Sequence, residues 1–464
     1  MNKSVKVASL SLLSIVLVYG MMMFSGCGSS GGSSPAPTPP TTYSGTLYMA
    51  SSAGGHIGVF PVTIDPSNTA APITVDATNQ TKIQLAGAPG TANSIYFHDV
   101  RFGVNTDGTL DTNKIYYSGM MSRGTNTSVV DIGYVDLTKT ATNTNNGIDS
   151  TIDIDGPAAD NIAWALSLMD PTDFGTGTRI VYCASGMTKD YYFPMSMSFP
   201  AFVDAVPVSA IATAGQHVTA STTGFHRTYI NQIDADAAGW ARLSGGDFGT
   251  PPLAFIHGAS SPDGTKIYMS TNVVSGLSTT NNLAGVFRTY LVNASDLATG
   301  AVGTSISSMA PSKVISKASF TVNPSLASIA YRASFTPDGK YILQSGADRA
   351  LILNANDLSL YVDTAATNAN DTVKLGSGTS GGIEVHDVIA TPDGKYAILA
   401  IRYFSDSTNA GLGIKTSGVQ LYDINNKKFI GGVVSTCGSN AAACHVAYQD
   451  FTSRATCGVI FKSK

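Results

Sequence analysis

The histidines are the residues whose type and spacing could do chemistry. His98 and His386 each open a predicted strand within the same tripeptide, His-Asp-Val, and His445 opens another as His-Val. His257 opens a fourth strand one residue nearer to its turn than His386, so its side chain can point to the other face of the strand. Neutral imidazoles that converge from several strands are ligands for Cu or Zn. The four residues are therefore a candidate metal site. The alternative is that each is an ordinary packed residue at the start of a strand.

Cysteines cluster near the end of the chain. Cys437, Cys444 and Cys457 lie close together, which favours a disulfide if the protein is exported to an oxidising compartment. Cys444 precedes a histidine, but covalent haem attachment uses Cys-x-x-Cys-His and the spacing from Cys437 is longer. With Cys183 included, four cysteines allow three pairings, and all three stay open. The sequence requires no cofactor; copper or haem stays an alternative.

Composition excludes several classes of protein. Charged residues make up 12% of the chain, the formal net charge is -4, and Glu384 is the single glutamate among 31 acidic residues. Helix bundles and coiled coils draw on Glu, Lys, Leu and Arg, so this composition argues against them. The absence of a basic excess argues against nucleic acid as a partner. The 47 glycines and 20 prolines indicate a β protein with many turns.

An internal repeat supplies the elements that position these side chains. Three segments, Phe255–Tyr268, Ala330–Leu343 and Val385–Ile398, each read as a strand, a Pro-Asp-Gly turn and a second strand. Weaker copies are predicted at residues 98–117, from Trp164 to Tyr182, and from His445 to Phe461. Repeats of this kind predict a propeller, in which each blade is an antiparallel sheet.

The Ser/Thr-Pro-Asp-Gly pattern with its apolar second strand resembles the inner hairpins of bacterial YVTN-type β-propellers. The resemblance implies an all-β fold of six or seven blades over residues 43–464. The count depends on residues 186–252, which fit one blade or one blade with an insertion. The last copy is expected to supply two strands, and the strands His56–Phe60 and Lys82–Leu85 are expected to complete that final blade.

The N-terminus reads as a targeting segment. Residues 1–26 combine two early lysines with an apolar stretch, and Phe24-Ser25-Gly26-Cys27 resembles the bacterial lipoprotein signal. The resemblance implies lipidation at Cys27, including a palmitate-type acyl chain, and an outer-membrane lipoprotein of the cell envelope. Residues 27–42 are a flexible Gly/Ser/Pro/Thr linker. A retained transmembrane helix and a plain cleaved signal peptide are the alternatives.

Two classes of function fit this organisation. The first is a binding or scaffold module, lipid-tethered, that holds a protein or small-molecule ligand at a propeller face. The second is a propeller enzyme, either metal- or haem-dependent redox or a lactonase-like hydrolase. The lone glutamate makes an acid-dependent hydrolase harder to support. Fold alone does not decide between them, since propellers host many unrelated functions.

We expect Cys27→Ser to move the protein from the membrane fraction to the soluble fraction without lowering its Tm. The reason is that the linker separates the lipidated residue from the folded domain. Fractionation with immunoblotting measures the first effect and thermal unfolding the second. Ser34→Ala, which keeps Cys27, is the control. Unchanged membrane association of Cys27→Ser would favour a retained apolar helix.

Overall fold

The computed structural model describes most of the predicted domain. The described residues are 41–51, 56–76, 78–84, 94–123, 126–138, 148–153, 182–196, 202–211, 222–229, 253–274, 283–299, 310–316, 330–346, 349–364, 384–404, 416–436 and 457–464. The signal segment, residues 1–26, lies outside them, as does the linker up to residue 40. Within the described residues, no helix is long and apolar enough to span a bilayer.

Strands dominate the described residues. The first half of the chain contains β1 (Tyr43–Ser51), β2 (His56–Ile64), β3 (Ile73–Val75), β4 (Thr81–Gln84), β5 (Ser94–Val104), β6 (Leu110–Arg123), β7 (Asn126–Asp136), β8 (Ile148–Asp153), β9 (Tyr182–Met187), β10 (Tyr191–Ser196), β11 (Phe202–Pro207), α1 (Val208–Ile211) and β12 (His226–Tyr229). The second half contains β13 (Leu253–Ser260), β14 (Lys266–Val274), β15 (Leu283–Asn293), α2 (Ala294–Thr299), β16 (Ala310–Ser316), β17 (Ala333–Phe335), β18 (Tyr341–Ser345), β19 (Ala350–Asn354), β20 (Leu360–Asp363), β21 (Glu384–Ala390), β22 (Tyr396–Phe404), β23 (Thr416–Asp423), β24 (Lys428–Ser435) and β25 (Val459–Ser463).

These strands form six antiparallel sheets, the blades of a propeller. Blades 1 to 5 are β5–β8, β9–β12, β13–β16, β17–β20 and β21–β24, and blade 6 has the order β25-β1-β2-β3, with β4 also paired to β2. The innermost strands β5, β9, β13, β17, β21 and β25 contact one another in a closed ring. The predicted all-β propeller is therefore confirmed, with six blades and not seven.

The Pro-Asp-Gly turns fold as the sequence predicts. In blade 4, Thr336 Oγ donates to Asp338 Oδ1 at 2.6 Å and accepts the Tyr341 N–H at 3.0 Å. The turn glycine, Gly339, has φ +69°, a value that L side chains rarely adopt. The equivalent glycines of blades 3 and 5 have φ +68° and +71°. This turn ends each innermost strand at the same level, and so aligns the three blades around the axis.

The closing blade differs from the prediction in one respect. β2 and β4 belong to it, as expected, but the C-terminal segment contributes one strand to the described residues, β25, and that strand is the innermost. The rest of the segment from His445 to residue 456 lies outside the described residues. β25 pairs with β1 from Gly45 opposite Ser463 to Met49 opposite Val459. The two ends of the domain thus share one sheet, which closes the ring of blades.

Blade 2 also corrects a prediction. The expected copy from Trp164 to Tyr182 placed a second strand at Tyr182, whereas the structure starts the innermost strand β9 there. Its hairpin partner is β10, and the turn between them has neither proline nor glycine. Residues 154–181 and 230–252 lie outside the described residues. The absence of the turn signature explains why the repeat could not be placed from sequence.

Apolar side chains hold each blade against the next. One cluster joins blade 6 to blade 5 through Leu47, Phe60, Ile398 and Leu421, all at most 1% exposed. Comparable clusters join the other neighbours, such as blades 2 and 3. Burying one such side chain contributes about 1.5–3 kcal/mol. Because each cluster needs both blades, loss of one sheet exposes apolar surface on two neighbours.

We expect a chain ended after Gly458 to lose cooperative unfolding or to aggregate. It lacks β25, so β1 becomes an open edge and the core between blades 5 and 6 loses Val459. Circular dichroism during heating and size-exclusion chromatography measure the effect. The control chain ends after Ser463 and keeps the strand. A Gly458-ended chain that melts like the parent would show that β25 does not close the ring.

Candidate functional site at the propeller axis

The innermost strands bring one register position to a common level near the axis. Asp99 pairs with Ser118, His257 with Ser270, and Asp387 with Ala400, each opposite the fifth residue of the repeat's second strand. Backbone hydrogen bonds place Arg332 opposite Ser345 and Gly458 opposite Ala50 at the same level. We call Asp99, His257, Arg332, Asp387 and Gly458 the axial ring. Its members come from blades 1, 3, 4, 5 and 6.

A β-bulge places the shared tripeptide in the same way in two blades. The register shifts between Phe97 and Asp99 and again between Val385 and Asp387, so the histidine of each His-Asp-Val is the extra residue. The aspartate that follows is the paired residue of the axial ring. A bulge re-aims side chains beside a site in this manner. His257 sits at the aspartate position and not at the histidine position, which is the one-residue offset seen in the sequence.

Asp99 connects four blades through its carboxylate. Oδ2 accepts a 2.5 Å hydrogen bond from the Ser185 hydroxyl of blade 2, and Oδ1 lies 3.4 Å from Arg332 Nε of blade 4. The same Oδ1 lies 3.2 Å from Arg101 Nη2. Gly458 of blade 6 packs so closely that a Cβ there would lie 3.1 Å from the Asp99 Cα. Contacts across so many blades are possible only near the axis.

Arg101 crosses the axis two residues nearer to the turns. Nε donates to the Ser185 carbonyl at 3.2 Å and Nη2 donates to the Ala333 carbonyl at 3.3 Å. Nη1 lies 4.0 Å from Asp387 Oδ2. The guanidinium therefore joins both ring aspartates while its own fork is held by backbone carbonyls.

Arg332 is the cation of the ring itself. Its side chain is fully buried, and Nη2 has no hydrogen-bond partner among the described residues. Nη1 contacts Nδ1 of His386. A buried donor without a partner costs about 1–3 kcal/mol, so such a group calls for an explanation. One explanation is that the donor is kept for a ligand.

Burial shifts the titration of the two ring aspartates. Removal from water raises the pKa of Asp387 to about 6, against the opposing attraction of Arg101 and Arg332. Two backbone N–H groups donate to this carboxylate, from Val388 at 2.8 Å and from Val459 at 2.9 Å. The pKa of Asp99 is raised for the same reason, again against both guanidinium groups. Asp387 is therefore a carboxyl group that changes charge near neutral pH.

Aromatic rings extend the site beside the ring. Tyr331 stacks on His386 with ring centroids 4.4 Å apart, and His257 meets Tyr331 edge-on at 5.9 Å. His386 Nδ1 also lies 2.9 Å from the Cys457 carbonyl. Tyr331 and His98 are partly exposed, whereas their chain neighbours Arg332 and Asp99 are buried. The ring is therefore nearest to solvent at the end where the innermost strands begin.

The structure places three of the four predicted metal ligands. His98 and His386 lie at equivalent bulges, His257 lies at the neighbouring register position, and His445 is outside the described residues. In the described part of the chain, no three His, Cys, Asp or Glu side chains are grouped as a metal site. A site completed by His445 stays a prediction. Arg332 beside His386 brings a positive charge to that imidazole, which does not favour a cation there.

The described residues include only one of the three predicted disulfide cysteines, Cys457. Cys457 is a buried thiol, and so is Cys183, whose thiol lies 3.1 Å from the Ile256 carbonyl. Burial raises the pKa of the Cys183 thiol, which makes that sulfur unreactive. Cys437 and Cys444 lie outside the described residues, so a bridge between them stays a prediction.

Sequence reasoning missed the charged residues of the site. It selected the His-Asp-Val tripeptides for their histidines, whereas the aspartates, Asp99 and Asp387, form the ion pairs. It also looked for acids among glutamates, and the axial acids are aspartates. Arg332 follows Tyr331 at the position of His257 in its own repeat, and aligning the three Pro-Asp-Gly copies was a signal that could have found it. Arg101 had no such signal.

The chain is similar to several solved structures, all at low identity. No protein-family model and no curated protein matches the chain. Similar solved structures include a candidate 6-phosphogluconolactonase from Bacteroides uniformis, with 12% identity, 84% of this chain and 81% of that chain covered, and a TM-score of 0.36. A second candidate 6-phosphogluconolactonase, from Bacteroides fragilis, has 10% identity, coverage of 92% and 100%, and a TM-score of 0.39. A periplasmic gluconolactonase from Pseudomonas aeruginosa has 10% identity, coverage of 85% and 83%, and a TM-score of 0.40.

The chain is thus a six-bladed β-propeller with a buried ionic ring on its axis. Likenesses with TM-scores this small carry no argument about this chain, and the propeller is shown by its own strand pairing. What the chain does must be argued from its own residues.

We expect Asp387→Asn to flatten part of the pH dependence of stability. The folded carboxyl, with its pKa near 6, binds a proton more tightly than the unfolded one, whose ordinary value is 3.8. Stability from this group is therefore greatest below the unfolded value and falls as pH rises to about 6. The free energy of unfolding of the parent minus that of the variant should fall by about 2 kcal/mol between pH 4 and pH 7. Urea unfolding at a series of pH values measures it.

The matched control is Asp65→Asn, which removes an exposed carboxyl. Hydrogen bonds from Ser67 lower the pKa of Asp65, so the same difference should instead grow as pH rises from acid. A parent-minus-Asp387→Asn difference that stays level from pH 4 to pH 7 would mean that Asp387 titrates at its ordinary value.

Proposed function

We propose that the protein is a hydrolase of cyclic esters and that the axial ring is its active site. The observation that carries the proposal is the pair formed by Asp387 and Arg332. A buried carboxyl whose pKa lies near 6 stands in the same ring as a buried guanidinium with an uncommitted N–H. A general base works best when its pKa lies near the working pH, and guanidinium N–H groups stabilise a developing oxyanion.

The chemistry needs only water and these two side chains. Asp387 takes a proton from a water molecule as the water oxygen attacks the lactone carbonyl carbon. Arg332 donates from Nη2 to the carbonyl oxygen, which becomes negatively charged in the tetrahedral intermediate. The ring C–O bond then breaks, and the alkoxide takes the proton held by Asp387. The product is an open-chain hydroxy acid.

Other residues hold this pair in place. Val388 and Val459 donate backbone N–H groups to the two Asp387 oxygens, which fixes the carboxylate. Asp99 pairs with Arg332 through Nε and leaves Nη2 free to face a substrate. The Tyr331–His386 stack supplies a flat wall on which a small ring can rest. The single glutamate of the chain does not argue against an acid-dependent hydrolase, because aspartates supply the carboxyl groups at the axis.

The binding module is the second candidate, and one observation favours it. Asp387 and Arg332 are fully buried in this structure. Such burial suits a tightly bound ligand as well as it suits a substrate that is converted and released. In this interpretation the ring holds a small polar molecule without changing it. Turnover separates the two candidates.

The cell envelope is the proposed location. The support is the resemblance of Phe24-Ser25-Gly26-Cys27 to a lipoprotein signal, followed by a flexible linker. The YVTN-type assignment rests in the same way on the Pro-Asp-Gly repeats. An enzyme tethered there would act on lactones outside the cytoplasm.

The test is hydrolysis of δ-gluconolactone and γ-butyrolactone by the full chain, followed by the acid released. We expect kcat/KM to rise with pH through an apparent pKa near 6, because Asp387 must be ionised to act as the base. Asp387→Asn should lower kcat by about 10²–10⁴-fold.

The control is Asp65→Asn, which removes a carboxyl far from the axis and should keep full activity. Calorimetric binding of the lactone or its hydroxy acid without turnover by the parent would replace the hydrolase with the binding module. Turnover that survives Asp387→Asn would contradict the assigned base.

A further inference from the structure

A cavity opens at the end of the axis opposite to Tyr331 and His98. Its volume is about 1090 Å³, which is large enough for a small organic ligand. All six blades contribute to its lining, mostly through the turns that end their innermost strands. The cavity is therefore on the axis, at the turn end, and opposite to the end where Tyr331 and His98 approach solvent.

The walls of this turn-end cavity are apolar. Phe102, Phe193, Phe335, Ile389 and Ile460 line it, one from each of five blades. An apolar cavity of this size in a soluble domain marks a ligand site more often than a packing fault, since interiors have few voids larger than a water molecule. The walls favour a hydrocarbon chain or ring.

The floor is a single buried cation. Arg101 lines the cavity, its side chain is 12% exposed, and it separates the cavity from the axial ring. Its Nε and Nη2 donate to backbone carbonyls, whereas Nη1 makes no hydrogen bond among the described residues and lies 4.0 Å from Asp387 Oδ2. Lys189, Asp190 and Asp263 also line the cavity, where Lys189 pairs with Asp190. Among the described lining residues, Arg101 is thus the one buried cation.

We propose that the turn-end cavity binds an amphipathic monocarboxylate, with its apolar tail against the phenylalanine and isoleucine walls and its carboxylate on Arg101. A guanidinium holds a carboxylate through charge-assisted hydrogen bonds. A monoanion fits better than a phosphate dianion, because Asp99 lies 3.2 Å from the same guanidinium and repels added negative charge. This inference does not require the proposed hydrolase, which places its substrate at the opposite end of the axis, although Arg101 contacts the aspartates of that site.

Calorimetry with three probes tests the chemistry of the ligand. The Cys27→Ser chain is used so that no detergent competes. We expect decanoate to bind at least ten times more tightly than decan-1-ol, which lacks the charge, and than acetate, which lacks the tail. Equal affinity for decanoate and decan-1-ol would overturn the role of Arg101, and equal affinity for decanoate and acetate would overturn the role of the walls. Decyl phosphate that binds more tightly than decanoate would overturn the choice of a monoanion.

Two variants test the place of binding. Ala298→Trp, on the short helix α2 at the cavity lining, should weaken decanoate at least tenfold by filling the cavity. Ala70→Trp, on an exposed turn of blade 6, is the matched control and should bind like the parent. Arg101→Met should reduce decanoate to the affinity of decan-1-ol. Arg101→Met also disturbs the axial ring and could prevent folding. In that case the decanoate affinity of Ala298→Trp tests the place of binding.

The outcomes separate this inference from the proposed function. Decanoate binding without lactone turnover leaves the turn-end site standing and removes the hydrolase. Lactone turnover with no decanoate binding, or with binding that Ala298→Trp leaves unchanged, overturns the turn-end site alone.

Discussion

The antiparallel pairing of β25 with β1 is the constraint on which the rest of the structure depends. It closes six blades into a ring, and each blade buries its apolar side chains only against its neighbours. This strand and the residues just before it also complete the axial site, because the Val459 N–H donates to Asp387 and the Cys457 carbonyl contacts His386. The same few residues thus close the ring of blades and hold the axial ring in place. A substitution that destabilises the pairing of β25 with β1 therefore also destabilises the axial ring.

The sequence was sufficient to predict the propeller but not to count its blades. Three Pro-Asp-Gly turns identify their hairpins because proline, aspartate and glycine each fix one feature of the turn. Blade 2 has no such turn, since Thr188, Lys189 and Asp190 make its hairpin without proline or glycine. The share of the closing blade contributed by each end of the chain is decided by packing across the whole ring. Sequence patterns are local and carry no signal for it.

The residues of the axial ring could likewise be predicted only in part from the sequence. The repeated His-Asp-Val tripeptide was selected for its histidines as metal ligands, but a β-bulge decides which of its residues enters the ladder. A bulge depends on the partner strand, so the sequence of one strand does not reveal it. The bulge makes Asp99 and Asp387 the ring residues. The offset of His257 in sequence was real, and it puts that imidazole in register with the two carboxylates.

Arg101 and Arg332 show why the ring must stay intact as a unit. Removing one partner from a buried ion pair costs about 3–5 kcal/mol, because the remaining charge is left without compensation. Even Gly458 is constrained, since a Cβ there would lie 3.1 Å from Asp99 Oδ1. Arg101 belongs to the ring and also to the floor of the turn-end cavity, and its attraction lowers the pKa of Asp387. One guanidinium thus contacts the axial ring and lines the turn-end cavity, so a change of Arg101 affects both.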